Sequence, residues 1–300
     1  MIGTGTVFDI GYQSYTGPRE GRMRALKAVW KDGVRISLGF GRGPRAKILP
    51  WFFLAVLSMI ALVMAILAGA ADRLGGAGTA NKMHLPTHSD YYAIASMILF
   101  VFASLVAPEL LCRDRREGVI NLYLVRPLTG TDYVAARWSA FLTVMLVATW
   151  VPQTILFLGL CGGDPDPMKY LQLHWLDIPR FLAAGLAMSL FLTTIAMLVA
   201  SFTTRRAYAA VFLIGLFAIT TPFTVGMSEE IHGNLGRWIS MFTLTNIPLH
   251  VAAIIFGKAN DLTKEAPAHE LGSLVLVSWY FAWTFVMAAV IWFRYRRLKP

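Results

Sequence analysis

Hydrophobic positions in this chain run on in long uncharged stretches, at residues 48–71, 91–108, 138–162, 181–203, 207–228 and 271–293, with a seventh near 236–257. A hydrocarbon core of about 30 Å takes roughly 20 residues of α-helix to cross. Only helices and closed barrels satisfy their own backbone there. The length of the runs and their Leu, Ala and Met content argue against barrel strands, which are shorter and alternate. The pattern therefore predicts an all-α, polytopic membrane protein with six transmembrane helices. The seventh stretch carries Asn246, Pro248 and His250 near its middle, where polar groups are costly in lipid. It is expected to form a re-entrant helical segment at 236–257, two short pieces that enter and return between the fifth and sixth spans.

Charge gives the orientation. The chain is 56% hydrophobic and only 15% charged, against about 25% charged for a soluble domain. Short loops rich in Lys and Arg stay in the cytoplasm. With six spans and both termini inside, 20 of the 27 Lys and Arg fall on the cytoplasmic side and seven outside. An N-in/C-in protein of the cytoplasmic (inner) membrane is predicted, in contact with the lipid bilayer. The basic pI of 9.8 is then a topology signal and implies no nucleic-acid partner. Some forty polar or mixed residues precede the first span, which is too late a start for the apolar core of a cleavable signal peptide. Cys112 and Cys161 are expected at opposite faces, too far apart to pair.

Two parts follow: a cytoplasmic arm with an interfacial helix at 1–47, and a six-helix transmembrane domain at 48–300. Residues 1–17 are rich in Gly, Thr and Tyr and have no period. In "RALKAVWKDGVRIS", Leu26, Val29, Trp30 and Val34 can share one helical face, with Lys27, Lys31, Asp32 and Arg35 on the other. That is the pattern of an amphipathic helix lying in the headgroups, or of a plain juxtamembrane anchor. "GFGRGPRAK" invites a phosphate-loop reading and fails it. The GxxxxGK[ST] spacing is missing, and Pro44 has no amide to offer a phosphate. Its glycines are expected to be a flexible break before the first span. Pro152 and Pro222 are predicted kinks. Beside the second, Thr220, Thr221 and Thr224 suit either freed carbonyls or a polar cavity.

Between the second and third spans lies "CRDRREGVINLYLVRPLTGTDY", residues 112–133. The charges Arg113, Asp114, Arg115, Arg116 and Glu117 mark the exit from the membrane. Residues 119–125 form a helix too short to cross anything, Pro127 stops it, and Thr129 or Thr131 is suited to cap the next helix. A short apolar helix held by a charged hairpin looks like a knob for another protein's socket. Glu109, one turn earlier, is placed to pair with Arg113 or to snorkel.

This stretch resembles the loop between the second and third spans of ABC transporter type-2 (ABC-2) permeases. The matching positions are Asp114, Arg115, Glu117, Gly118, Leu122, Leu124, Pro127, Leu128, Tyr133 and Arg137, with Arg116 in the same cluster. Val119 stands where the family commonly has Thr, and Arg137 where it commonly has Lys. The family's layout also has six spans, an amphipathic helix before the first, and a re-entrant segment between the last two. The resemblance implies that the loop helix is a coupling helix that docks on a separate ABC ATP-binding subunit. Two such subunits would act with this permease and a second copy or paralogue of it. ATP and Mg would be bound by the partner, with no cofactor in this chain, and export would be favoured. Ser96, Ser104, Phe217, Thr220, Thr221 and Phe223 are candidate pathway residues on family architecture and polarity. The near absence of charge in the spans points to a lipid-like, amphiphilic or drug-like substrate.

Two other classes compete with a transporter. A membrane-embedded enzyme needs a constellation that is missing: "HELGS" at His269 lacks the second His of a zinc pair, and there is no GxSxG elbow and no acidic pair within a span. A non-transporting membrane partner that recruits an ATPase would use the same loop. His84, His88, His174, His232, His250 and His269 all fall outside or in the re-entrant segment. The first two are four apart, but Pro86 between them opposes a continuous helix, so solvated loop histidines and no metal site are expected.

Overall fold

A computed structural model describes residues 21–41, 43–75, 86–120, 128–164, 166–231, 233–258 and 267–297. Among them no strand occurs. A cationic helix α1 (Arg22–Ser37) precedes the first long helix, α2 (Pro44–Gly75). Then come α3 (His88–Arg116), α4 (Gly130–Gly163), the short α5 (Pro167–His174), α6 (Asp177–Phe202) and α7 (Arg206–Glu230). Two short helices, α8 (Asn234–Ser240) and α9 (Asn246–Ile255), lead through a 3-10 turn to α10 (Ser273–Arg296). Six helices, α2, α3, α4, α6, α7 and α10, are long and apolar enough to cross a membrane, as the apolar runs require.

The helices outrun the apolar stretches. α3 continues past Glu109 to Arg116, which at ~1.5 Å per residue makes it roughly 43 Å long. A charge ends an apolar run without ending a helix, because long side chains reach the interface from inside it. Caps fix the starts. Asp90 accepts from the Thr87 amide at 2.7 Å before α3. Before α4, Thr129 and Asp132 form a reciprocal capping box at 3.1 and 3.2 Å, which satisfies donors the first turn would otherwise leave open.

Short connections suggest that successive spans pack as neighbours, and this holds for α4 and α6, while several of the other main pairings join helices that do not follow one another. α2 lies mainly along α4, α3 along α6 and α7, and α10 along α6. Small residues decide this. A Cβ built on Gly159 would lie 2.4 Å from the Ala65 Cβ, and one on Gly163 would lie 2.5 Å from the Gly69 Cα. Lipid is as apolar as the side chains, so close backbone approach supplies the packing that water would otherwise drive. The most buried helices are α3, α4 and α6.

The glycines after α1 make a tight turn where a flexible break was expected. Gly39 has φ +73, and the Phe40 amide reaches back to the Arg35 carbonyl at 2.8 Å while Gly39 reaches Ile36 at 3.0 Å. That closes α1 in a left-handed cap that a residue with a Cβ adopts at a cost. A Cβ on Gly39 would also meet the Ala46 carbonyl oxygen at 2.3 Å.

Residues 241–245 form an elbow between α8 and α9, so the seventh apolar stretch is two short helices. α8 packs on α7, and α9 on α6, α10 and α3. The threonines beside Pro222 serve this elbow: Thr221 pairs with Thr245 at 2.8 Å and Thr224 with Thr243 at 2.7 Å. The carbonyl four residues before Pro222 belongs to Ala218, and neither hydroxyl bond runs to it.

Candidate functional site

A network of charged groups lies at one end of the bundle, where α1, the end of α3 and the start of α4 meet. Arg137, one turn into α4 beyond Tyr133, is fully buried. It donates through Nη2 to Asp114 Oδ2 at 2.7 Å and through Nη1 to Asp32 Oδ2 at 2.8 Å. Tyr133 donates its hydroxyl to the same Asp114 oxygen at 2.6 Å, and its ring lies 5.7 Å from the Arg137 guanidinium carbon. One buried cation thus ties three helices together. Isolated in a low-dielectric interior it would be very costly, so two carboxylates and a ring are what make it tolerable.

A second tie lies nearby. Arg22 at the start of α1 donates to both Asp132 oxygens, at 3.0 and 2.7 Å, and Asp132 also caps α4. The carboxylate holds the Arg22 guanidinium above its usual pKa. Just beyond the Asp32 tie α1 presses on α4 at Gly33, where a Cβ would lie 2.7 Å from the Ala140 Cβ. The face of α1 that meets the bundle centres on Val29, Gly33 and Ser37, with Leu26 and Val34 of the expected stripe packed beside them, whereas Trp30 is 38% exposed. Asp32, assigned to the solvent face, turns inward to Arg137.

From this base the chain leaves for the loop. Gly118, at φ +68, closes α3, with the Val119 amide on the Asp114 carbonyl at 3.0 Å; the left-handed conformation explains why glycine stands there. Glu117 pairs on the surface with Arg113 at 3.1 Å and Arg116 at 3.7 Å. Glu109, placed beside Arg113 by spacing, is reached from across the bundle by Arg206 at the start of α7. Arg115 donates to the Ser201 carbonyl at the end of α6. Leu128, where the chain returns, is buried. Leu122, Leu124 and Pro127, the expected face and stop of the loop helix, lie outside the described residues, as do His84 and residues 1–17.

The suggested pathway residues do not converge on one described cavity. Ser96 and Ser104 are buried in α3 and spend their hydroxyls on the Ala93 and Phe100 carbonyls at 2.7 and 2.9 Å. Phe217 packs on Phe100, with ring centroids 3.4 Å apart. Thr220 and Thr221 flank the elbow, while Phe223 is 62% exposed on the outer face of α7.

The opposite end holds what sequence reasoning missed. His88 is a buried residue that starts α3, not a solvated loop histidine. Its ring stacks on Phe181 and Phe256, and Nδ1 faces Gln153 Oε1 at 2.6 Å. Lys258, just after α9, donates to Thr87 at 2.6 Å, so the α8–α9 segment is fastened over the start of α3. His174 is half-exposed against Asp177 at 2.9 Å, and His250 is buried in α9. Among the described residues no three His, Cys, Asp or Glu side chains converge as a metal site would need. Both cysteines are free.

Asp32 carried a readable signal. It is the lone acid in a helix with Arg22, Arg24, Lys27, Lys31 and Arg35. An acid retained in a segment otherwise suited to anionic lipid points to a specific cationic partner.

The chain matches no curated protein. Residues 50–237 match the family described as ABC-2 family transporter protein, a span that takes in most of α2, all of α3 to α7, and Asp114, Tyr133 and Arg137 of the charged base, but not α1. That family is one of transporter membrane subunits, and membership implies an ABC ATPase as partner. Since the match covers well over half the chain and six of its helices are fit to cross a membrane, this multi-pass membrane protein belongs to the ABC-2 transporter family.

Proposed function

We propose that this chain is the permease subunit of an ATP-driven exporter of the cytoplasmic membrane, coupled to two copies of a separate ATPase through residues 112–133. The observation that carries this reading is the buried Arg137 bridge to Asp114 and Asp32. A loop that transmits force needs a base that does not bend. Here the two ends of the loop, at Asp114 and at Tyr133 and Arg137, are joined to each other and to α1 by short charged hydrogen bonds. Packed, bistable contacts of this kind turn small shifts into rigid-body movement. ATP binding would draw two docked loops together, and the bundles of two permease copies would swing between inward-open and outward-open states.

A lipid-like or amphiphilic cargo fits the uncharged spans. The buried hydroxyls of Ser96 and Ser104 are already bonded to their own helix. The Thr221–Thr245 and Thr224–Thr243 contacts join the path-side helix α7 to the α8–α9 elbow, which suits a gate at the outer end. The test is ATP hydrolysis by the purified permease–ATPase complex, with a panel of lipids, detergents and drug-like amphiphiles. Severalfold stimulation by a member of the panel is expected. Hydrolysis indifferent to every amphiphile, with the ATPase still bound, would favour a partner that recruits the ATPase without transporting.

A further inference from the structure

At the basic end of the bundle, α3, α6 and α10 leave a cleft of about 510 Å³ between them. Arg115, Arg294 and Arg297 line it together with Tyr295, and Phe202, Phe293 and Val290 form its wall. Three features set it apart from a surface that happens to be basic. The first is preorganisation. Arg115 and Arg294 come from different helices and both donate to the Ser201 carbonyl. Arg294 also lies over the Phe202 ring at 4.5 Å. Each guanidinium has five donors, so both are held in place with most of their hydrogen-bonding capacity in hand.

The second feature is uncompensated charge. No acidic side chain lines the cleft, and among the described residues none of its three arginines has an acidic partner; nearby Asp114 is committed to Arg137 and Tyr133. Cations at the end of α10 suit the helix dipole. That does not account for Arg115 arriving from α3. The third is the Tyr295 hydroxyl, which belongs to a residue only 1% exposed and has no hydrogen-bond partner among the described residues. A buried hydroxyl left unpaired is costly, and because Tyr295 lines the cleft, a side-chain shift that opened it to an anionic oxygen there would satisfy it.

We infer that this cleft binds the phosphate of an anionic phospholipid. Phosphate oxygens are what converging, part-used guanidiniums recognise. The wall decides between a lipid and a free phosphate. Phe202 and Phe293 are both more than half exposed, on helices fit to cross the membrane, directly beside the arginines. An acyl chain would lie along them while the headgroup sits among the cations, in the manner of basic pockets between transmembrane helices. The site stands on this chain alone and does not depend on what the transporter carries.

The experiment is native mass spectrometry of the full chain in a neutral detergent, titrated with phosphatidylglycerol or with phosphatidylcholine of the same acyl chains. Phosphatidylglycerol is expected to be retained at least about fivefold better, the factor that a single basic residue near an anionic surface contributes. Arg297→Ala should weaken its binding about fivefold, by the same factor. Tyr295→Phe should also weaken it without lowering the melting temperature. Arg296→Ala, on the same turn but over the Trp292 ring, should have little effect. Equal retention of the two lipids, or binding indifferent to both cleft variants, would overturn the inference. So would displacement of the lipid by millimolar inorganic phosphate, which would mark a soluble-anion site. Loss of ATPase co-purification in the cleft variants with lipid retention intact would assign the cleft to the protein partner instead.

Discussion

Arg137 carries the most weight of any single residue, because its two partners sit in different surroundings. The Asp114 side chain is 8% exposed and that of Asp32 is 48% exposed. Breaking a buried pair strands a charge and costs about 3–5 kcal/mol, whereas a solvent-facing pair contributes about 1 kcal/mol or less. Asp114→Asn is therefore expected to lower stability in detergent by about 3 kcal/mol and Asp32→Asn by about 1 kcal/mol or less, measured by thermal or denaturant unfolding. Equal losses would mean that the buried half of the bridge is not the dominant one. Asp114 and Arg137 were legible in the sequence because the loop motif runs through both. Asp32 was not, although its lone negative charge marked it, because periodicity assigns a residue to a face and never names a partner 105 positions away. His88 was misjudged for a related reason. Pro86 made its segment look like loop, and nothing local announced that Phe181 and Phe256 would enclose the ring.

The helix with most to reveal is α1. Its composition suits the membrane surface, yet it is docked on α4 by two ion pairs and by the contact of Gly33 with Ala140. Gly33→Val should pry it away. In a background with Cys112 and Cys161 replaced by Ser, a Val29→Cys thiol is expected to resist a maleimide, and adding Gly33→Val should expose it to rapid labelling. Labelling at the same rate in both would show that α1 does not rest on α4 in the membrane. The existence of the six long helices and of the broken seventh stretch was plain from the sequence, because lipid demands continuous apolar length and penalises the polar triplet Asn246, Pro248 and His250. Their ends and their neighbours were not. Glu109 and Arg113 interrupt hydropathy without interrupting α3, and the pairing of α2 with α4 depends on Gly159 and Gly163 meeting Ala65 and Gly69, a complementarity that appears only once both helices are in place. The glycines at 39 and 41 looked like slack and form a tight turn.

Across the whole molecule, the two ends are built differently. The basic end is laced by Arg22, Arg115, Arg137, Arg206 and Arg294, each bonded to another element. The other end is closed by aromatic stacking on His88 and by Lys258. The outer helices present wide apolar faces, with Phe212, Ile219 and Phe223 exposed on α7 and Phe281 and Phe285 on α10, as a bundle surrounded by lipid or facing a second copy requires. If the basic end is cytoplasmic, a thiol placed by Lys27→Cys should be shielded from an impermeant reagent added to intact cells and one placed by Lys169→Cys should react. The reverse pattern would invert the topology. The role proposed for that basic end rests on the loop it supports. The most direct test is capture of the full chain from its native membrane in detergent, with assay of ATP hydrolysis in the eluate, beside a variant carrying Leu122→Asp and Leu124→Asp. An ATP-binding-cassette subunit should co-elute with the unaltered chain and be lost from the variant while its melting temperature is unchanged. Full retention by a still-folded variant, or no ATPase with either chain, would contradict coupling through this loop.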